Sequence, residues 1–243
     1  MANDRVPLLF LPGLLCDGEL FAPQLAGLAD VADMRVADLT AHDTMAVLAA
    51  DALARVPWPR FALAGLSMGG YVAYEMQRMA PSRVAGLALI DTSARPDTEE
   101  SSSNRRRLMA LAERDFPAVI ETLLPKLMTP AHAADARLAG VVRGMAERVG
   151  AEAFARQELA IIGRHDSRPG LARIACPTIV IAGTDDGILP RDIHEEQASG
   201  IRGAKLELVP DCGHLASIER PEAVNAALRG WLLAVAPGGR ASG

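Results

Sequence analysis

The sequence predicts an α/β fold, with a mostly parallel sheet of about six strands covered by helices and interrupted by a helical insertion. Three observations carry that prediction. Short apolar runs rich in Leu, Ile, Val and Ala alternate with helical stretches along most of the chain. The alternation stops between Ser93 and Ala175, where no buried strand is expected. Between a strand-like run and a helical run stands Gly65-Leu66-Ser67-Met68-Gly69, a G-x-S-x-G pattern followed by Gly70.

Taken in order, the predicted strands are Pro7–Leu11, Met34–Asp38, Phe61–Gly65, Val84–Asp91, Thr178–Gly183 and Lys205–Val209. The run over 178–183 is rich in β-branched residues and suits a strand buried on both faces. Thr44 to Val56 reads as a helix, with Thr44 as N-cap and Pro57 beyond its end. Tyr71 to Met79 is a second. Residues 94–103 are polar, with Ser101-Ser102-Ser103, and are expected to form a mobile linker. Helices then follow at Asn104–Asp115, Pro117–Met128 and His132–Ile162, the last broken near Gly150. Leu108, Leu111, Val119, Ile120, Leu123, Leu124, Leu127 and Met128 recur at helical spacing, which predicts an apolar face closing on a site. The resulting division is a core of residues 1–93 and 175–236, a helical lid of 94–174, and a flexible tail of 237–243.

A serine in a sharp strand-to-helix turn is pushed out at the sheet edge, at the positive end of a helix. A hydroxyl is a weak nucleophile and needs a base, which in turn needs a group to orient it. Of the five histidines, His214 follows a strand-like run on a loop, Asp211-Cys212-Gly213-His214, that leaves the same sheet edge as Ser67. The acid is expected at the end of the preceding strand. There Asp186 is favoured over Asp185, which reads as a turn residue. Asp91, ending another strand, is expected to bond loop backbone instead. A developing oxyanion needs donors, and the backbone N–H groups of Leu14 and Met68 are the candidates. Leu15 and Leu215, beside these loops, are expected to touch substrate. Arg105-Arg106-Arg107 reads as a solvated helix face, with carboxylate binding as the alternative.

Leu11-Pro12-Gly13-Leu14, the G-x-S-x-G stretch, Gly183-Thr184-Asp185-Asp186 and Gly213-His214 together resemble the α/β-hydrolase fold family, in family order. The likeness is to small bacterial esterases and enol-lactonases with a helical lid, and it covers essentially the whole chain. It implies a serine esterase with Ser67 as nucleophile, Asp186 as acid and His214 as base, and with Leu14 and Met68 as oxyanion donors. A small carboxylic ester is the first expectation. An enol-lactone or a carbon–carbon bond is the alternative on the same triad, followed by cofactor-free peroxidation. A non-catalytic small-molecule receptor and a purely structural module are the rivals from other classes. Many relatives carry His-Gly where Pro12-Gly13 stands here, and many have a hairpin before the first strand where only Met1 to Val6 stand here.

Composition limits the alternatives. The chain has 243 residues, 50% of them hydrophobic, enough for one buried core with an insertion. A formal net charge of −5 and 4% aromatics argue against a nucleic-acid or membrane-surface binder. No apolar stretch reaches the ~20 residues of a membrane span, and residues 1–12 lack a signal-peptide pattern, so a cytoplasmic protein is expected. No metal or organic cofactor is implied, and a homodimer is left open. Cys16, Cys176 and Cys212 are odd in number and lack C-x-x-C spacing, which predicts reduced thiols. Cys16 and Cys212 are further expected to flank Ser67, where bulky thiol reagents would crowd the pocket. The aromatic-poor composition predicts a pocket lined by Leu and Met.

Overall fold

The computed structural model describes residues 5–236; the predicted tail, 237–243, lies outside the described residues. Its centre is a six-stranded sheet in the order β2-β1-β3-β4-β5-β6. The strands are β1 (Val6–Leu11), β2 (Ala32–Val36), β3 (Phe61–Leu66), β4 (Val84–Ile90), β5 (Thr178–Gly183) and β6 (Lys205–Val209). Every neighbouring pair is parallel. Parallel strands need crossover helices, and those helices bury both faces of the sheet. The central strands are correspondingly apolar throughout; all six residues of β3 and of β5 are buried.

The core helices are α1 (Ala22–Gly27), α2 (Met45–Arg55), α3 (Met68–Met79), α8 (Arg191–Gly200), α9 (Ala216–Glu219) and α10 (Pro221–Val235). Between β4 and β5 come α4 (Glu99–Ala112), α5 (Phe116–Leu127), the single turn α6 (Pro130–Ala133) and α7 (Ala136–Ile162). Thr44 caps α2 by accepting the Val47 N–H at 3.3 Å, as its position before the apolar run predicts. One core cluster, including Phe10, Phe21, Leu8 and Leu228, packs one face of the sheet under α1 and α10. The other, including Phe61, Leu63, Val72 and Met76, packs the opposite face under α2 and α3. Fully burying each such side chain stabilises the fold by about 1.5–3 kcal/mol.

Most predicted boundaries shift by a residue or two, the predicted helix 132–162 is split into α6 and α7, and two further differences have a clear cause. β2 runs two residues earlier than 34–38, because Val6 pairs with Ala32 and the parallel ladder, not local hydropathy, sets its start. Asp38 instead closes a turn, accepting both the N–H and the hydroxyl of Thr40. Residues 99–103 are helical rather than a mobile linker. Thr98 accepts the Ser101 N–H at 3.1 Å as N-cap, and Glu99 and Glu100 lie in the first turn where the helix dipole favours them. Ser102 is buried and donates to Asp97. The break in the long helix falls where expected: Gly150 has φ +77°, a conformation that costs glycine little.

Candidate active site

The geometry begins with Ser67. It joins β3 to α3 with φ 51° and ψ −115°, a backbone conformation that L residues rarely adopt. Three glycines make the turn feasible. A Cβ on Gly65 would stand 2.4 Å from the Gly69 carbonyl oxygen, and one on Gly69 would stand 1.9 Å from that of Leu11. A Cβ on Gly70 would meet Thr92 Oγ1 at 2.3 Å. Thr92 Oγ1 in turn donates to the Ser67 carbonyl at 2.7 Å, and Ser67 N–H donates to Ile90 O at 2.9 Å. The turn is thus packed against β1 and β4 on either side.

His214 lies on the loop after β6. Its Nε2 is 2.9 Å from Ser67 Oγ and its Nδ1 is 2.7 Å from Asp186 Oδ2. Asp186 Oδ1 accepts the N–H groups of Ile188 and Leu189 at 2.8 and 3.1 Å. Three segments far apart in sequence therefore meet in one hydrogen-bond chain, in the order the sequence predicts. Burial alone would push the His214 imidazole down. The Asp186 carboxyl, with smaller contributions from Asp91 and Glu219, outweighs it and holds the imidazole above its ordinary value. Burial likewise works to raise Asp186, but His214 and the two backbone donors hold it below the usual carboxylate range.

The other two strand-end carboxylates do different work. Asp185 accepts from the Thr184 hydroxyl at 2.8 Å and lies exposed in the turn. Asp91 is fully buried and accepts the N–H groups of Gly183 and Ala216 at 2.9 and 3.1 Å, tying β4 to the Asp186 and His214 loops. Burial and the nearby Asp186 push Asp91 well up.

The loop after β1 carries the predicted donor Leu14. No protein acceptor among the described residues takes the Leu14 N–H, whereas the Leu15 N–H is bound at 3.0 Å by Gln157 Oε1 of α7. Met68 is the first residue of α3, where N–H groups have no intrahelical partner. Leu14, Leu15 and Leu215 all line a cavity of about 240 Å³ that Ser67 and His214 open into. Further apolar lining comes from Leu66, Leu108, Leu123, Leu127, Ile161 and Ile188, with Tyr71 beside them. No methionine contributes; Met128 packs in the core instead. A second cavity of about 270 Å³, beside Tyr74 and His165, holds none of the triad residues.

Arg105 is not part of a solvated face. Its neighbours Arg106 and Arg107 are exposed, but Arg105 turns inward to the cavity. Its Nη1 is 2.7 Å from the fully buried Glu158, and its Nε approaches Asp97 at 3.3 Å. Asp97 also holds Arg164 at 2.7 Å. Burial pushes the Glu158 carboxyl up even with Arg105 beside it.

The cysteine expectation is corrected in part. Cys16 lines the cavity, but it is buried, and burial beside Asp17 pushes its thiol up to about 12. Cys212 is wholly buried in the core, where burial and the Asp91 carboxylate push it up too. Thiols so placed present little thiolate to a reagent.

Three site residues carry no motif. Glu219, wholly buried, accepts the N–H groups of Gly213 and Leu215 on either side of His214, each at 3.1 Å. It also accepts the Thr129 N–H at 3.0 Å and lies 2.8 Å from His132 Nδ1. Gln157 is buried with both amide atoms used, its Nε2 donating to Leu39 O at 3.1 Å. His194 is buried 4.0 Å from Asp186 Oδ2, and burial pushes it down. Nothing in the sequence marks Glu219 or Gln157: Gln157 stands between Arg156 and Glu158, and Glu219 beside Arg220. Among the described residues no cluster of three or more His, Cys, Asp or Glu could hold a metal ion, and no helix is long and apolar enough to cross a membrane.

Comparison with known proteins bears on the fold. The chain is 31% identical to a thermophilic esterase from Thermogutta terrifontis, solved with malate bound, at a TM-score of 0.86 over 96% of this chain and 91% of that one. The enol-lactonase from Burkholderia xenovorans LB400 superposes with a TM-score of 0.86 at 24% identity, covering 95% and 92% of the two chains. A putative carbamate hydrolase RutD of Variovorax paradoxus is 29% identical over 208 residues, 84% of this chain and 75% of that protein. Residues 5–227 match the alpha/beta hydrolase family, and the chain belongs to it.

Proposed function

We propose that this hydrolase cleaves a small carboxylic ester through an acyl-enzyme intermediate on Ser67. One observation carries the reading: the unbroken hydrogen-bond chain from Ser67 Oγ through His214 to Asp186. His214 Nε2 takes the hydroxyl proton as Oγ attacks the carbonyl carbon. Asp186, acceptor to Nδ1–H, fixes the tautomer that leaves Nε2 free and steadies the imidazolium that forms. The carbonyl oxygen becomes an anion against the N–H groups of Leu14 and Met68, at the positive end of α3. The imidazolium then returns its proton to the leaving alcohol. Water repeats the sequence on the acyl-enzyme, His214 again taking and giving the proton, and Ser67 is regenerated.

Residues 94–174 act here as a lid. α4 and α5 supply Leu108, Leu123 and Leu127 to the cavity, and such cover excludes water from the reacting carbonyl. A lactone offers the same carbonyl in a ring, and the carbamate hydrolase relative extends the choice to a carbonyl bonded to nitrogen. Pre-steady-state release of p-nitrophenol from p-nitrophenyl acetate tests the mechanism. A burst stoichiometric with enzyme, followed by steady turnover, is expected; binding without release would mark a receptor. A chain-length series of acyl esters, lactones and carbamates then ranks the substrates.

A further inference from the structure

We propose that the Ser67 cavity selects uncharged over anionic acyl groups, and that Glu158, through its pairing with Arg105, sets that choice. The proposal rests on the hydrolase reading above. Four ionic side chains form one cluster, of which Arg105 and Glu158 line the cavity and Asp97 and Arg164 stand behind them: Asp97, Glu158, Arg105 and Arg164. Their side chains are 2%, 0%, 22% and 9% exposed. Arg105 Nη1 stands 2.7 Å from Glu158 Oε2, and Arg164 Nη1 stands 2.7 Å from Asp97 Oδ1. Two guanidinium groups thus face two carboxylates, and the cluster is electrically balanced.

Arg105 is the member that would greet an anionic substrate, and its charge is already matched. A third carboxylate, carried in on an acyl chain, would leave the cluster net negative in a region shielded from bulk water. Like charges there repel far more than at the surface. Lys126 also lines the cavity, but it is exposed, so water and salt screen it. A neutral chain meets no such opposition, and Leu108, Leu123 and Ile161 offer it apolar contact.

The test uses two 4-nitrophenyl esters of matched length at pH 8: pentanoate and the glutarate monoester. The wild-type enzyme is expected to show kcat/KM for glutarate about tenfold or more below that for pentanoate. Glu158→Gln makes the cluster net positive, so the pentanoate-to-glutarate ratio is expected to fall about tenfold. Arg105→Gln makes it net negative and raises the same ratio. Equal use of glutarate and pentanoate by the wild type overturns the proposal. So does a ratio that neither variant moves. If Glu158→Gln does not fold, the Arg105→Gln arm and the wild-type series decide. Calorimetric binding of the two esters to Ser67→Ala reads selectivity without turnover. Tighter binding of the pentanoate than of the glutarate supports the proposal even if the wild type releases no nitrophenol, which would sink the hydrolase reading alone. Equal binding, or none, overturns the proposal.

Discussion

Gln157 Oε1 accepts the backbone N–H of Leu15 at 3.0 Å, a bond from the inserted helices to the loop after the first strand, across 142 residues. Leu15 itself has φ 59°, so the loop is held in a conformation it would not choose alone. The bond also takes the Leu15 N–H out of competition, while the Leu14 N–H has no protein acceptor among the described residues. Gln157→Leu strands a buried N–H, which costs about 1–3 kcal/mol of stability. Thermal unfolding is expected to show that loss. Steady-state kinetics are expected to show kcat reduced by about tenfold or more, with a smaller change in KM, because an oxyanion donor acts on the transition state.

Replacing the nucleophile separates chemistry from folding. Ser67→Ala is expected to abolish ester turnover while circular dichroism and melting temperature stay near wild type. A fluorophosphonate is expected to label the wild type at Ser67 and leave this variant unlabelled. Asn substitution at each of Asp91, Asp185 and Asp186 then distinguishes the carboxylates. The 2.7 Å bond to His214 belongs to Asp186, so Asp186→Asn should lower kcat by on the order of 10³-fold or more. Near-normal turnover in Asp186→Asn would remove Asp186 from the mechanism.

Activity should depend on pH in a direction set by the same pair. His214 must be neutral at Nε2 to accept the serine proton, and its imidazole is held above the ordinary value of 6.5 by Asp186 against the pull of burial. The rising limb of kcat/KM is therefore expected to have its midpoint above 6.5, and Asp186→Asn is expected to move that midpoint down. Stability runs the opposite way for this group. A histidine raised in the folded state contributes stability that is full below its unfolded value and is lost as pH climbs through its folded value. Asp186 is lowered, so its contribution is present above its unfolded value and is lost as pH falls through its folded one. Rate profiles and urea unfolding measured over the same pH range check both signs.

The turn glycines give a steric prediction. A methyl group at Gly69 would overlap the Leu11 carbonyl oxygen at 1.9 Å, and backbone cannot swing aside as a side chain can. Gly69→Ala is expected to cost several kcal/mol or prevent folding, as overpacking against backbone does. Melting temperature and soluble yield measure it. Gly18→Ala, where nothing lies within 4 Å, serves as the control and should be nearly silent.

A further prediction concerns Glu219. Its carboxylate accepts three backbone N–H groups, two of them flanking His214. Glu219→Gln puts a donor where one acceptor oxygen stood. Hydrogen bonds to a charged group contribute about 1.5–3 kcal/mol each, so unfolding should show a loss of that order. The rate should fall as well, since the His214 loop loses its anchor.

Much of this architecture is legible in the sequence because its signals are local. Ser67 is marked by glycines that sterics require, and His214 and Asp186 follow strands whose apolar runs are unambiguous. Thr44 announces its helix through a cap that forms within three residues. The features that escape are set at long range. β2 begins at Ala32 because Val6 lies opposite it. The 94–103 segment reads as polar and loose, yet Asp97 is drawn in by Arg105 and Arg164, and α4 starts early to follow it. Arg105 looks no different from Arg106 or Arg107 until Glu158, 53 residues on, comes within 2.7 Å. Gln157 and Glu219 bind backbone groups, which leave no trace in residue identity.

The contact between the His214 loop and the end of α5 limits how this site can open. The His214 N–H donates to Leu127 O at 3.1 Å, and a Cβ on Gly213 would stand 2.9 Å from the Met128 backbone. Residues 127–129 therefore form a fixed door-jamb, and any swing of that stretch would drag the imidazole away from Ser67. Substrate entry that keeps the relay aligned is expected on the far side, beside α4 and the first turns of α5.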